Sequence, residues 1–230
     1  MERKEENWNL SARATKYLKR LSRDSLWLCN ADQVRAYLSS QNLPMFDVLM
    51  QFQILFSGFK LTIAGSTGDA FYLQLFSKKQ IAANEKIHYE VEGNHYWFEC
   101  GYHETGQFLF CINQIGEICT LDKDQSNIIH SSVEKLIEHY AIRNELSSLY
   151  NDPQYYHLNN NDKLEEFLLR KNFSIISECS DKYSTWYTNE NITLIRGTWY
   201  DQPKSYLYLY AKNKVNCNDL IKELKMALLI

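Results

Sequence analysis

Leu43 to Lys60, LPMFDVLMQFQILFSGFK, decides how the first half of this chain is read. Pro44 suits the first turn of a helix, where its missing N–H would find no partner in any case. Phe46, Leu49, Met50, Gln53 and Ile54 then recur at helical spacing. Gly58 is placed to close that helix in a left-handed conformation. Beyond it the period changes. Phe59, Leu61 and Ile63 alternate with Lys60 and Thr62, which predicts a half-buried strand.

Working outward, residues 9–22 and 31–40 read as helices. The first has Leu10, Ala14, Tyr17, Leu18 and Leu21 on one stripe and Lys16, Lys19 and Arg20 outside it. The second has Asn30 as a cap, with Gln33 three residues on as its capping-box partner. Past the turn at 65–69, FYLQLF (71–76) is the next strand. Residues 87–91 and 95–100 form a hairpin around Glu92-Gly93-Asn94, and 107–112 and 117–121 form another around 113–116. Ser131-Ser132-Val133-Glu134 opens a helix whose Val133, Leu136, Ile137, Tyr140 and Ala141 make one apolar side. Asn151–Asn161, rich in Asn with one Pro, reads as a linker. Beyond it come a helix (162–171), strands at 173–179, 183–188, 191–197 and 205–211, and a final helix (218–229) capped by Asn216 or Asn218. Short strands joined by tight turns indicate antiparallel pairing. The expected fold class is α+β: an antiparallel sheet flanked by helices over 1–150, and a smaller C-terminal α+β unit over 151–230.

Composition sets bounds on function. Hydrophobic residues make up 45% of 230, so the chain has the material for a packed core and is too apolar for intrinsic disorder. Net charge is −3, unevenly spread. Residues 1–23 carry seven Lys/Arg against three acids, and residues 85–124 carry eight Asp/Glu against two Lys. That asymmetry speaks to partners rather than to fold. No apolar run reaches the roughly 20 residues of a bilayer span, and MERKEENWNL lacks the apolar core of a signal peptide. The expectation is a cytoplasmic protein, its six cysteines reduced, with no membrane partner.

Few residues suggest chemistry. Cys100-x-x-His103 with Cys111 and Cys119 has the ligand types for zinc, but its spacings of eleven and eight fit no knuckle, and cysteines in apolar strands behave as small hydrophobes. Nothing in the sequence sets Cys29, Cys179 or Cys217 beside a histidine, as a thiolate nucleophile requires. Gly65-x-x-Gly68 is followed by a strand rather than the helix of a phosphate loop, so it reads as a turn. The pairs Glu90/Glu92 and Asp122/Asp124 each share one face if extended. The acidity of 85–124 argues against nucleic acid as a partner. No metal, cofactor or catalytic residue is assigned.

The order of Leu43-Pro44, a helix ending at Ser57-Gly58, strand Phe59–Ile63, the Trp97–Gly101 strand, Ile112–Ile118 and the Ser131-Ser132 helix start resembles the SUKH superfamily over about residues 30–147. This chain departs from the pattern at Ser57, where a first Gly is usual, and at Cys119, where an aromatic is common. Bacterial members are mostly immunity proteins. The resemblance therefore implies a cytoplasmic antitoxin that binds a cognate toxin, with a basic active-site face as the expected target. An acidic, aromatic surface suits such a target, and the candidate contacts are Glu90, Glu92, Tyr96, Glu104, Asp122 and Asp124. The alternatives are a small hydrolase or transferase whose site forms only in three dimensions, and a regulatory adaptor.

Overall fold

A computed structural model describes residues 8–106, 108–122, 125–149, 153–200 and 204–230. Among these, the helices are α1 (Ala12–Arg20), α2 (Ala31–Ser40), α3 (Asp47–Gln51), α4 (Lys78–Ala82), α5 (Val133–Leu149), α6 (Asn161–Arg170) and α7 (Lys214–Met226). The strands of the first sheet are β1 (Lys60–Leu61), β2 (Phe71–Leu73), β3 (Tyr89–Glu92), β4 (His95–His103), β5 (Leu109–Asn113), β6 (Ile118–Asp122) and β7 (Gln125–His130). Those of the second are β8 (Gln154–His157), β9 (Ser174–Ile175), β10 (Thr185–Thr188), β11 (Ile192–Thr198) and β12 (Ser205–Ala211). The protein is α+β, and every strand pair is antiparallel.

The first sheet runs β1-β2-β4-β5-β6-β7. β4 is long enough for β3 to pair with its first half and β2 with its second, side by side along one edge. Its inner face (Phe71, Phe98, Phe110, Ile112, Ile118) packs against apolar residues of α1, α2, α3 and α5. The second sheet runs β8-β12-β11-β10-β9. The Tyr–Leu alternation of β12 divides its two faces. Leu207 and Leu209 pack with Leu164 and Leu168 of α6 and Leu220, Ile221 and Leu224 of α7. Tyr206, Tyr208 and Tyr210 face the other way, into a cluster with Ile142 and Leu146 of α5 and with Trp186 of β10.

Helix α5 is therefore covered on two sides, and every residue from Leu136 to Ile142 is buried. Leu136, Ile137, Tyr140 and Ala141 enter the first core, as their spacing predicts. Ile142 and Leu146 serve the second sheet, a face the single predicted stripe did not include. A helix buried around most of its circumference, Glu138 and His139 included, is one with packing on both sides.

Several boundaries differ from the sequence reading. Leu43–Phe46 belongs to no helix or strand, and α3 begins only at Asp47. Phe46 stays extended while its ring packs on Tyr96 and Phe98. The end of that helix widens into a π turn, Phe52–Phe56, whose Gln53 is fully buried. The Gln53 side chain donates to Trp27 O (2.7 Å) and Phe76 O (2.9 Å) and accepts from Phe76 N (2.8 Å), so no polar atom is left orphaned. Strand 59–63 contracts to Lys60–Leu61, and strand 71–76 to Phe71–Leu73 followed by α4. Ser132 rather than Ser131 caps α5, accepting from Lys135 N at 3.3 Å. The Ser131 N–H instead donates to Asp181 at 2.7 Å. The stretch read as a linker contains β8, which pairs along β12 with Pro153 just ahead of it, a position on an edge strand that needs no N–H. Strand 173–179 contracts to β9 followed by a single 3-10 turn, Ser177–Cys179. α7 is capped by Asn213, whose side chain accepts from Asn216 N, and its early start at Lys214 brings Cys217 into the core. β7 was not foreseen, because QSNIIH carries only two consecutive apolar residues.

Two contacts fasten α5 to its surroundings. The Glu138 carboxylate accepts from Ser11 N (2.6 Å) and Ser11 Oγ (2.8 Å), while Ser11 Oγ caps α1. Glu138→Ala should cost about 2 kcal/mol in urea unfolding, because two polar groups lose their acceptor. Arg13→Ala breaks pairs to the exposed Glu145 and Glu178 and should cost less than about 1 kcal/mol. Equal costs would contradict this ranking.

His130 of β7 and His139 of α5 lie with ring centres 5.2 Å apart in the same interface. Burial pushes His130 down to about 4, with the Asp181 charge opposing only in part. Burial also pushes His139 well below its ordinary value, and His130 and Arg143 add to that shift. In the unfolded chain both titrate near about 6.5. The unfolded state thus takes up protons that the folded state refuses. Stability is complete above about pH 6.5 and declines as the pH falls towards about 4. His130→Phe should flatten this part of the acid limb when urea midpoints are compared across it. An unaltered slope would refute the assignment.

Candidate functional site

A cleft of about 560 Å³ opens where the two sheets meet around α5. The loop between β1 and β2 brings Asp69 to it, the end of β4 brings His103, and α5 brings Arg143. β12 contributes Tyr206 and Tyr208, the same alternation that buries its leucines on the far side. Two glycines make this assembly fit. Gly68 has φ +79°, and a Cβ there would lie 2.7 Å from the Thr105 methyl. At Gly197 a Cβ would lie 2.4 Å from the Tyr206 ring, so the glycine leaves that ring room to lie across β11.

Asp69 is the centre of the polar floor. Its Oδ1 lies 3.1 Å from His103 Nε2, and its Oδ2 accepts from Arg143 Nη2 at 2.6 Å. Burial alone would raise the Asp69 pKa, but the His103 hydrogen bond and the Arg143 charge outweigh it and hold the carboxyl below its ordinary value. Burial opposes the Arg143 charge in turn, yet Tyr210 and Asp69 beside it keep the guanidinium firmly protonated. Burial raises Tyr200 and Tyr206, which remain neutral phenols.

Thr105, His103 and Asp69 stand in the order of a nucleophile, base and orienting acid. The hydrogen bonds exclude that use in this arrangement. His103 Nδ1 accepts from Gly106 N (3.2 Å) and Thr105 N (3.4 Å), so Nε2 carries the proton and donates to Asp69. The Thr105 hydroxyl lies 3.3 Å from Nδ1 but donates to Gly68 O at 2.9 Å. The imidazole lone pair is occupied and the hydroxyl proton is committed elsewhere. The trio fastens two loops together.

The residues singled out in the sequence do not form one face. Glu90 and Glu92 pair with Trp97 and His95 and lie on the outer face of the first sheet. Glu99, opposite Cys111, joins them there. Tyr96 lies on the inner face, packed on Phe46 and Tyr89. Glu104 follows the other end of β4, roughly 25 Å from Tyr96 at about 3.3 Å per residue, and pairs with Lys60 at 3.5 Å. Asp122 ends β6 on that same side, since Leu121 pairs with Leu109. Asp124 lies outside the described residues.

The sheet also separates the cysteines. Cys100 packs into the inner core, whereas Cys111 and Cys119 face each other across β5 and β6 on the outer side with Trp97. Burial raises all three thiols, Cys111 to about 12. His103 is turned to Asp69. Among the described residues no three His, Cys, Asp or Glu side chains are grouped to hold a metal ion. No described helix is long and apolar enough to cross a membrane.

Asp69, Arg143 and the β12 tyrosines were missed in the sequence. One signal was present: SYLYLYA sets three tyrosines on one face of a strand that is apolar on both. Asp69 and Arg143 are 74 residues apart, and nothing local announces their pairing. No protein-family model, curated protein or solved structure matches the chain.

The two loop glycines give a controlled test of the cleft geometry. Gly65 has φ +75° with nothing within 4 Å of its Cβ position, so Gly65→Ala should cost only the backbone strain, about 1 kcal/mol. Gly68→Ala adds the clash with Thr105 and should cost roughly twice that in thermal unfolding. Equal losses would show that the Thr105 contact gives way freely.

Proposed function

We propose that this protein is a binding protein of the immunity type, which neutralises a cognate toxin by contact, and that the outer face of its first sheet is the docking surface. The observation that carries the reading is the placement of Glu90, Glu92 and Glu99. All three are exposed on one sheet face, above buried Trp97, Cys111 and Cys119, and none has an ion pair among the described residues. A rigid carboxylate-bearing face attracts a basic partner over distance and speeds docking. β3 adds an edge on which no other described strand pairs, and its Val91 is 58% exposed. The resemblance to SUKH immunity proteins points the same way. The encounter is placed in the cytoplasm, where the six free thiols stay reduced.

The hydrolase or transferase alternative needs a nucleophile beside a free base. The one arrangement in the cleft that approaches this has both groups engaged in fixed hydrogen bonds. The proposed activity requires no cofactor.

The test is co-expression with the product of the adjacent reading frame. The intact chain should restore growth. Glu90→Lys with Glu92→Lys should slow association at least about tenfold at low salt and much less at high salt. Full protection by the charge-reversed variant would remove this face from the account. Tight binding to a harmless product would favour the adaptor role.

A further inference from the structure

The cleft between the sheets lies on the other side of the first sheet from the docking face and plays no part in it. Its volume of about 560 Å³ falls within the range of small-molecule sites, roughly 300–1,000 Å³. We infer that this cleft binds a flat, uncharged heteroaromatic compound whose edge carries an acceptor next to an amino group, the pattern of an adenine nucleoside.

The charge balance of the floor argues for an uncharged ligand. Arg143 and Asp69 cancel, so an anion meets the carboxylate and a cation meets the guanidinium. Both side chains remain partly open, at 19% and 23% exposure. Each Asp69 oxygen accepts one bond and retains a second lone pair. Arg143 also bonds Tyr210, and its five-donor guanidinium keeps N–H groups beyond those given to Asp69 and Tyr210. Together they present an acceptor beside a donor, the complement of a ring nitrogen next to an exocyclic amine.

The walls argue for a flat ligand. Trp199 and Tyr206 pack on each other with ring centres 4.9 Å apart, and Tyr155 meets Trp199 edge-on at 6.1 Å, so the three form a continuous aromatic wall on which a planar ring can lie. Tyr155 is 62% exposed at the mouth, so folding leaves most of its ring uncovered. A second signal is polar. His139, only 4% exposed, lines the cleft, and its Nδ1 has no hydrogen-bond partner among the described residues. Trp199 Nε1, also at the cleft, has none either. Of the eight buried side-chain groups without a partner among the described residues, these two line the cleft, where a bound molecule or water can complete the bonding.

The experiment is calorimetric titration of the full chain with adenosine, with AMP as the charged comparison. Saturation is expected below about 1 mM. Tyr155→Ala removes an exposed stacking surface without touching the core and should weaken binding about tenfold. Asp69→Asn should do the same by replacing an acceptor with a donor or a neutral oxygen. AMP should bind more weakly than adenosine. Absence of saturation by about 1 mM overturns the inference. So does binding that neither variant alters, and so does tighter binding of AMP, which would mark Arg143 as an anion site. None of these three results bears on the docking face, whose variants leave these residues untouched.

Discussion

Helix α5 is the constraint on which the rest of the molecule depends. From Leu136 to Ile142 it has no solvent side. Each buried aliphatic chain there contributes on the order of 1.5–3 kcal/mol of transfer free energy, divided between two sheets. The helix therefore fixes the distance and rotation at which those sheets face each other. Shorter contacts secure the arrangement. Glu117, just ahead of β6, accepts from Lys182 and Tyr183 of the loop before β10 at 3.0 and 2.8 Å. Thr120 donates to Tyr200 O, and Asn127 to Trp199 O.

The cleft is the remainder of that arrangement. Two sheets gripping one helix cannot close completely beyond its flank, and Arg143 stands where the covering ends. A guanidinium in such a place is tolerated only with a partner. Asp69 reaches it from a loop that Gly68 allows to pass close to Thr105. The same carboxylate orders His103, whose other nitrogen is already occupied by backbone N–H groups. Charge and loop shape are thus set largely by one residue, and the polar floor is held by its own hydrogen bonds.

Local patterns in the sequence announced most elements. Asn30 and Gln33 form the reciprocal cap their spacing implies, and Gly93 forms the hairpin between β3 and β4 with φ +60°. What failed was decided by distant contacts. Phe46 was read as helical, but Tyr96 and Phe98 hold it extended. Tyr155 and Tyr156 looked like part of a linker until β12 supplied an edge for them to join. The stripe on α5 was read correctly and incompletely: a pattern shows that a face is apolar, not how many layers cover the helix. The acidic character of 85–124 was legible, yet strand register set Tyr96 on one side of the sheet and Glu90 and Glu92 on the other. A slip of one residue would have reversed that division.

The outer border of β3 carries a further consequence. Open strand borders invite copies of the same protein to zip together, and cells suppress this with charges placed along them. Two identical YEVE segments meeting head-to-tail would bring four glutamates into one ladder, so self-association is opposed by repulsion. A lysine- or arginine-bearing strand would meet no such barrier. On charge alone, the border disfavours a strand that repeats its own carboxylates more than one that carries the opposite charge.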